Sequence, residues 1–233
     1  MDLKRFFTDE EIIGDSIILT GAEYYHAVKV TRHKIGYKII VCNNTNKDYY
    51  CTITDISKSE LTAKIDDVLI NESEPDYNLS LYIGNNKDLD TVVQKAVECG
   101  VKNIIPFTSQ HCNIDTINYD RLNKIILESS KQCGRSVLAN LKPLTTFEES
   151  IKEAKNGCIV AFYEHERKNK LKSDSLIGKD INIFIGCEGG FSEDEINLLK
   201  SNNVMPYTLG NRILRVSTAV VAACVSVNNI LDD

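Results

Sequence analysis

The stretch that decides the fold reads Ile181-Asn182-Ile183-Phe184-Ile185-Gly186-Cys187-Glu188-Gly189-Gly190-Phe191-Ser192-Glu193-Asp194-Glu195. Its first five residues form a largely apolar run typical of a strand, and glycines follow directly. Glycine permits positive φ angles and lets backbone amides approach a ligand closely. Ser192 and Glu195 have the spacing of a capping box, so we predict that a helix begins right after the glycines. On these residues alone, a ligand-binding loop and a tight structural turn are equally good interpretations.

A second loop of interest lies nearer the C-terminus. Residues 205–210 are predicted to end a strand, and 211–215 follow before a helix from about Ser217 to Leu231. That helix is rich in small apolar residues, which permit close approach to a neighbouring backbone. A well-packed terminal helix with no ligand is the competing interpretation.

Alternating strands and helices precede both loops. The apolar residues between Leu89 and Val97 recur at the spacing of one helix face, and Gly100 is placed to cap that helix at its C-terminus. Such alternation predicts parallel βαβ units, whose ligands bind at the carboxyl ends of the strands. The predicted strands are 79–83, 103–107 and 158–163, and the predicted helices are 89–97, 122–133 and 147–154.

The first 70 residues follow a different pattern. Short β-rich runs at 17–19, 38–41 and 49–53 are separated by turns rich in Gly and Asn, which predicts a small barrel or sandwich. The polar segment 71–76, which contains a proline, then breaks the pattern. We therefore predict two domains, a β-rich domain over residues 1–71 and an α/β domain over 76–233.

Charge and composition limit the possible functions. The formal net charge of −6 argues against a general nucleic-acid coat, because binding to the phosphate backbone depends on clustered Lys and Arg. Any contact with a nucleic acid is therefore expected to be local. Two basic clusters could supply it or could be ordinary solvated surface: Lys29, Arg32, His33, Lys34 and Lys38, and Arg167, Lys168, Lys170 and Lys172.

The eight cysteines and four histidines show no metal-ligand spacing, so we expect no metal site and interpret the cysteines as small buried hydrophobic residues. The N-terminus turns acidic at residues 9–11 and lacks the apolar stretch of a signal peptide. No window approaches the run of about 20 apolar residues that a membrane-spanning helix needs. We expect a soluble, cytoplasmic protein with no membrane partner.

The two C-terminal loops resemble the signatures of a known family. Gly186-x-Glu188-Gly189-Gly190-Phe191 and Leu209-Gly210-x-Arg212-Ile213-Leu214-Arg215-x-x-Thr218-Ala219 are similar to those of the RsmE family, SPOUT-class methyltransferases that methylate N3 of a uridine in small-subunit ribosomal RNA. Further similar motifs occur upstream in the family's order. They are Arg5-Phe6-Phe7, His26-x-x-x-Val30-x-Arg32-x-x-x-Gly36, Gln94-Lys95-Ala96-x-Glu98-x-Gly100-Val101 and Gln132-x-x-Arg135.

The resemblance implies a PUA-like RNA-binding barrel followed by a SPOUT-type α/β knot, in which a parallel sheet is threaded as a trefoil. It also implies S-adenosyl-L-methionine as cofactor, ribosomal RNA or the small ribosomal subunit as partner, and a homodimer with the active site at the subunit interface. The residues implied for the cofactor are Phe162, Tyr163, Glu164, Ile185, Gly186, Glu188, Gly189, Gly190, Leu209, Gly210, Ile213, Leu214, Ser217 and Ala219.

Arginine suits the reacting end of such a site, because its fork can hold a phosphate or a uracil carbonyl and stabilise negative charge that develops on the pyrimidine. We assign this role to Arg215 and Arg135. Arg5, His26 and Arg32 are the candidates for guiding RNA, although a surface ion pair is an alternative for Arg32. We expect no metal ion to take part in this reaction.

Three positions depart from the family pattern: Cys187 stands where proline is usual, Asn85 where lysine is common, and Val216-Ser217 where Thr-Glu is common. We expect Ser217 to cap the last helix and to be a poor base. A branched side chain at Gly189 is expected to enter the ligand space. The loss of a carboxylate at 217 favours one alternative, a non-catalytic RNA-binding or ribosome-assembly protein with the same fold. A second alternative is a SPOUT methyltransferase acting on transfer RNA or on a ribose hydroxyl.

Overall fold

Five strands of the N-terminal region form one sheet in the computed structural model, which describes residues 3–112 and 114–232. The strand order is β1-β3-β4-β5-β2, and a short helix α1 (Gly21–Tyr25) runs directly into a π-helical turn (His26–Val30). Buried and exposed residues alternate along β2, as expected for a strand with one face on a core. The strands are β1 (Arg5–Phe7), β2 (Ser16–Thr20), β3 (Lys38–Cys42), β4 (Lys47–Ile56) and β5 (Glu60–Ile70).

A second sheet of six parallel strands follows, in the order β10-β11-β6-β7-β8, with β9 also paired to β7. The predicted parallel α/β architecture is confirmed. The strands are β6 (Asn78–Gly84), β7 (Asn103–Thr108), β8 (Asn140–Leu141), β9 (Thr145–Thr146), β10 (Cys158–Phe162) and β11 (Asp180–Ile185). The helices are α2 (Leu89–Glu98), α3 (Tyr119–Cys133), α4 (Phe147–Ala154), α5 (Glu193–Ser201) and α6 (Val216–Leu231).

The central strands of the second sheet are buried along almost their whole length, as parallel strands with helices on their faces should be. Aromatic rings fill one side of this core. The rings of Tyr82 and Phe184 stack with centroids 4.5 Å apart, and Phe107 and Phe147 pack beside them. Gly100 has a φ of +82° directly after the C-cap of α2, which confirms its predicted capping position.

The described chain divides into two compact units. The first contains the chain up to Glu74 together with Leu127–Leu138, and the second contains Pro75–Ile126 and the chain from Ala139 onward. The sequence pattern did not predict that residues 127–138 belong with the β-rich unit. Two buried ion pairs hold this segment within the first unit: Lys131 to Glu23 at 2.6 Å, and Arg135 to Glu74 at 3.0 Å.

One predicted strand does not form. Residues 205–209 lack strand structure, and only Tyr207 makes an isolated parallel bridge with Phe162. Tyr207 donates its N–H to Ala161 and accepts from the N–H of Tyr163 at 3.0 Å. The carbonyl of Tyr163, which would accept the next N–H of such a strand, accepts that of Glu166 at 3.1 Å instead, which gives a physical reason for the correction. None of the helices within residues 3–112 and 114–232 is long and apolar enough to cross a membrane.

Candidate active site

A cavity of about 520 Å³ opens in the second unit, at the carboxyl ends of β10 and β11 and against the first turn of α6. Both glycine-containing loops of the sequence contribute to its wall. Most of the residues predicted to hold a cofactor line it: Phe162, Tyr163, Glu164, Ile185, Gly186, Glu188, Gly190, Leu209, Gly210, Ile213, Leu214 and Ala219, joined by Arg215 from the predicted catalytic pair. Of the predicted cofactor residues, Gly189 and Ser217 do not line it.

The first of these loops, residues 186–190 (the glycine loop), folds tightly because glycines stand at its closest backbone approaches. Gly190 has a φ of +69° and donates its N–H to the carbonyl of Cys187 at 2.9 Å. A Cβ at Gly186 would lie 2.8 Å from the carbonyl carbon of Gly190. The loop ends at the predicted capping box, which is confirmed: Ser192 Oγ accepts the N–H of Glu195, and Glu195 Oε2 accepts that of Ser192.

Gly189 faces a neighbouring segment, which corrects the expectation that a side chain there would enter the ligand space. A Cβ at Gly189 would lie 2.7 Å from the Cβ of His111. The segment 109–112 runs beside the glycine loop, with Ser109 Oγ bonded to the sulfur of Cys187 at 3.7 Å and the Gln110 N–H bonded to Glu195. A substitution at Gly189 therefore tests the contact between His111 and the glycine loop.

Five charged side chains line the cavity: the carboxylates of Asp88, Glu164 and Glu188, and the guanidinium groups of Arg212 and Arg215. Two of these carboxylates already accept a hydrogen bond: Asp88 accepts that of the Thr91 hydroxyl at 2.7 Å, and Glu188 accepts that of the Lys87 N–H at 3.0 Å. The cavity thus offers both acidic and basic groups to a ligand.

Tyr163 brings a phenol to the same wall. Burial raises its pKa, and the nearby carboxylates of Glu164 and Glu193 add to the shift. The phenol therefore stays protonated at neutral pH and can serve only as a hydrogen-bonding or packing group in the cavity wall.

The start of α6 differs from the sequence expectation in one respect. The N-cap residue is Arg215, and Ser217 is the second residue of the helix and makes no side-chain cap bond. The prediction that Ser217 caps the helix is therefore wrong. Arg215 is exposed and has extended backbone angles (φ −64°, ψ 154°), so its side chain leaves the chain at the cavity edge just before the helix begins.

Arg135 and Arg5 are not among the residues that line that cavity. Both lie in the first unit, in buried ion pairs. Arg135 bonds Glu74 through Nε at 3.1 Å and Nη2 at 3.0 Å, and its residue is 3% exposed. Arg5 pairs with Asp48, with Nη2 2.8 Å from Oδ2. Because these guanidinium groups are committed to interior carboxylates, we no longer propose Arg135 as a reacting group or Arg5 as an RNA contact.

The other two RNA candidates remain near the surface of the first unit. Arg32 is exposed, with a φ of +56°, and follows Thr31, the C-cap of the π-helical turn. His26 is half-buried, and its Nδ1 lies 3.5 Å from Nζ of Lys131. Tyr25, which precedes His26 in the chain, is 60% exposed, and Tyr37, whose ring packs edge-on against that of His33, is 50% exposed.

Two of the departures from the family pattern have structural roles here. Asn85 is 1% exposed and donates from Nδ2 to the carbonyl of Ile114 at 2.7 Å, so it ties the chain after β6 to the chain after β7. Cys187 is buried, lines the cavity and accepts the contact from Ser109.

Sequence reasoning did not select several residues that the fold brings to the site. Asp88, Cys187, Arg212 and Val216 line the cavity, and His111 supports the glycine loop. Asp88 could have been found, because it follows the carboxyl end of a predicted strand. Among residues 3–112 and 114–232, no group of three or more His, Cys, Asp or Glu side chains is placed to hold a metal ion.

Comparison with known proteins defines the class. The family model of the RNA methyltransferase domain matches residues 72–228, and that of the RNA methyltransferase PUA domain matches residues 19–66. The fold and the cavity are therefore those of an RNA methyltransferase that carries a PUA domain.

Relatives along the whole chain narrow this class. A Mesomycoplasma hyopneumoniae protein named ribosomal RNA small subunit methyltransferase E is 30% identical over 94% of this chain and 96% of its own length, and a Rickettsia conorii protein of that name is 28% identical over 97% and 96%. The crystal structure of a Neisseria gonorrhoeae protein of that name, bound to S-adenosyl methionine, has the same fold, with a TM-score of 0.89, 23% identity and 98% of both chains covered. This chain belongs to the ribosomal RNA small subunit methyltransferase E family, the RsmE family.

Proposed function

We propose that the protein transfers a methyl group from S-adenosyl-L-methionine to N3 of a uridine in small-subunit ribosomal RNA. The observation that carries this proposal is the cavity in front of α6, because its wall is made of both C-terminal family motifs and ends at an exposed arginine. Small-molecule sites typically occupy about 300–1,000 Å³, and the cavity lies in that range.

The residues of the cavity fit this cofactor. Gly186 and Gly190 keep the wall free of side chains, so that backbone groups can approach a bound adenosyl group. Asp88, Glu164 and Glu188 suit a ligand that has two positive charges and two ribose hydroxyls. Phe162, Ile185 and Leu209 supply the apolar surface for an adenine ring.

When bound, the cofactor supplies a methyl group that is already activated on a sulfonium, so positioning is a large part of the remaining task. Arg215 is the residue that we assign to the uridine, where its guanidinium holds a uracil carbonyl and stabilises negative charge as N3 loses its proton. Ser217 has no carboxylate and does not line the cavity, so it does not accept that proton. Arg135 supports the first unit through Glu74.

RNA binding is assigned to the first unit, through Arg32 and His26 and the exposed ring faces of Tyr25 and Tyr37. Arginine contacts phosphates, and aromatic faces stack on unpaired bases. This unit is the proposed PUA-like barrel, and the second unit the proposed trefoil knot. The protein is proposed to act in the cytoplasm, on ribosomal RNA or the small ribosomal subunit. It is proposed to work as a homodimer with α6 in the interface, and the 44% exposure of Val225 on that helix supports this assignment.

Methyl transfer from labelled cofactor to small-subunit RNA, with large-subunit RNA and transfer RNA as controls, tests this proposal. We expect label in small-subunit RNA only, and we expect Arg215→Ala to reduce the single-turnover rate by about 10²-fold or more while cofactor affinity changes little. Label in transfer RNA would favour the alternative SPOUT substrate. Tight RNA binding without any transfer would favour a non-catalytic assembly protein.

A further inference from the structure

The Glu164 carboxylate is the free acidic group of the cavity. It is half-buried and lines the wall, whereas Asp88 and Glu188 already accept bonds from Thr91 and Lys87. Within residues 3–112 and 114–232, none of the hydrogen bonds or ion pairs of the structure includes the Glu164 carboxylate. A half-buried carboxylate that makes no bond within the protein is available to a cationic group of a ligand.

This carboxylate packs against the glycine loop. Its oxygens occupy the space that a Cβ at Gly190 would need, so the glycine leaves room for the carboxylate where it now lies. Gly190 has a φ of +69°, which independently favours glycine at this position. The loop geometry and the acidic residue thus form one arrangement, in which the backbone makes room for a charge that faces the ligand.

We infer that Glu164 is the counter-ion for a positive charge of the cofactor. Its carboxylate thereby makes the site bind cationic adenosyl ligands more tightly than uncharged ones. This inference rests on the proposed function, since it takes S-adenosyl-L-methionine as the ligand. That cofactor has two cationic groups, the sulfonium and the α-ammonium, and either could meet the carboxylate. A sulfonium contact would also make the thioether product bind more weakly than the cofactor and so favour product release.

Calorimetry with three ligands identifies the group that Glu164 recognises. S-adenosylmethionine has both cationic groups, S-adenosylhomocysteine keeps only the ammonium, and 5′-methylthioadenosine has neither. Glu164→Gln removes the charge and keeps the shape. We expect this variant to bind S-adenosylmethionine about ten- to a hundredfold more weakly, as for the loss of a charged hydrogen-bond partner.

The ligand pattern decides between the outcomes. Loss for S-adenosylmethionine alone identifies the sulfonium, and loss for it and S-adenosylhomocysteine identifies the ammonium. An equal loss for all three ligands would mean that Glu164 binds the ribose or adenine, and no loss would mean that it does not contact the ligand; either result overturns the inference. The matched control is Glu193→Gln, which removes an exposed charge outside the cavity wall and should change none of the three affinities.

Folding of the variant is checked by thermal unfolding before binding is measured. If Glu164→Gln does not fold, Glu164→Asp is tested with the same three ligands, because it keeps the charge and withdraws it by one methylene. The inference then expects a smaller loss with the same ligand pattern, and a uniform loss overturns it. Failure of the proposed function looks different, because the wild-type protein itself would then not bind S-adenosylmethionine or transfer its methyl group.

Discussion

His111 and Gly189 are held together beside the cavity, with the imidazole Nδ1 2.9 Å from the carbonyl oxygen of Gly189. A carbonyl can only accept, so Nδ1 carries the proton of this bond. His111 follows β7 and Gly189 follows β11, and β6 lies between these strands in the sheet. The contact therefore ties together two loops at the carboxyl edge of the sheet, one of which forms the cavity wall.

Gly189→Ala should weaken cofactor binding through this contact. The added Cβ would meet the Cβ of His111, which is too close to its own backbone to swing away, so the glycine loop itself must move. We expect at least about a tenfold loss of affinity by calorimetry, because the cavity wall moves with the loop. Gly178→Ala is the control: its φ of +80° strains an alanine, yet its Cβ meets nothing, and residue 178 does not line the cavity. Equal cofactor affinities for wild type and Gly189→Ala would contradict this account of the loop.

Glu74→Gln should destabilise the protein, because it removes a buried carboxylate that pairs with the buried Arg135. Both side chains are almost fully buried, at 3% and 4% exposure. Removing one partner of such a pair typically costs about 3–5 kcal/mol in the free energy of unfolding. Urea unfolding measures this cost. Asp76→Asn, which breaks an exposed pair with Lys179, is the control and should change the unfolding free energy little.

Ser217→Ala should leave the single-turnover methyl-transfer rate within about threefold of wild type, because Ser217 neither caps α6 nor lines the cavity. With no carboxylate at 217 to accept the uridine proton, the wild-type rate should climb with pH through the neutral range. A general base typically contributes about 10²–10⁴-fold. A loss of that size in a stable Ser217→Ala variant, or a rate that does not change with pH, would give this position a catalytic role.

Acid should weaken the first unit partly through His33. Burial lowers the pKa of His33 below its ordinary value of 6.5, so the folded protein favours the neutral ring. The stability that this preference contributes is present above that ordinary pKa and is lost as the pH falls below it towards the folded value. Between about pH 7.5 and about pH 5.5, the unfolding free energy of wild type should fall more than that of His33→Gln. Parallel losses in urea unfolding would show that His33 has no part in the acid response.

The sequence was most informative where a signal is local. The capping box at Ser192 and Glu195 fixed the start of α5, and helix α4 begins and ends at the predicted residues Phe147 and Ala154. The alternation of strands and helices was enough to predict the parallel sheet, because crossover helices and parallel strands require one another.

Contacts between distant parts of the chain could not be predicted from the sequence. The joining of residues 127–138 to the β-rich unit depends on Lys131 meeting Glu23 and Arg135 meeting Glu74, and neither pair has a local sequence signal. The same holds for His111 at Gly189. A sequence motif gives the position of an arginine but not its partner. Arg135 and Arg5 were therefore assigned to the substrate, although each forms an ion pair with a carboxylate inside the fold.

The central claim is that the protein methylates N3 of a uridine in small-subunit ribosomal RNA, and the identity of the modified nucleoside tests it most directly. Small ribosomal subunits that lack the modification are incubated with the purified protein and labelled S-adenosylmethionine, and the RNA is digested to nucleosides for chromatography and mass spectrometry. We predict that the label is in 3-methyluridine, that it reaches about one methyl group per subunit, and that Arg215→Ala fails to produce it. Label in a 2′-O-methylated nucleoside, or no label in subunits to which the protein binds with its cofactor, would contradict the claim.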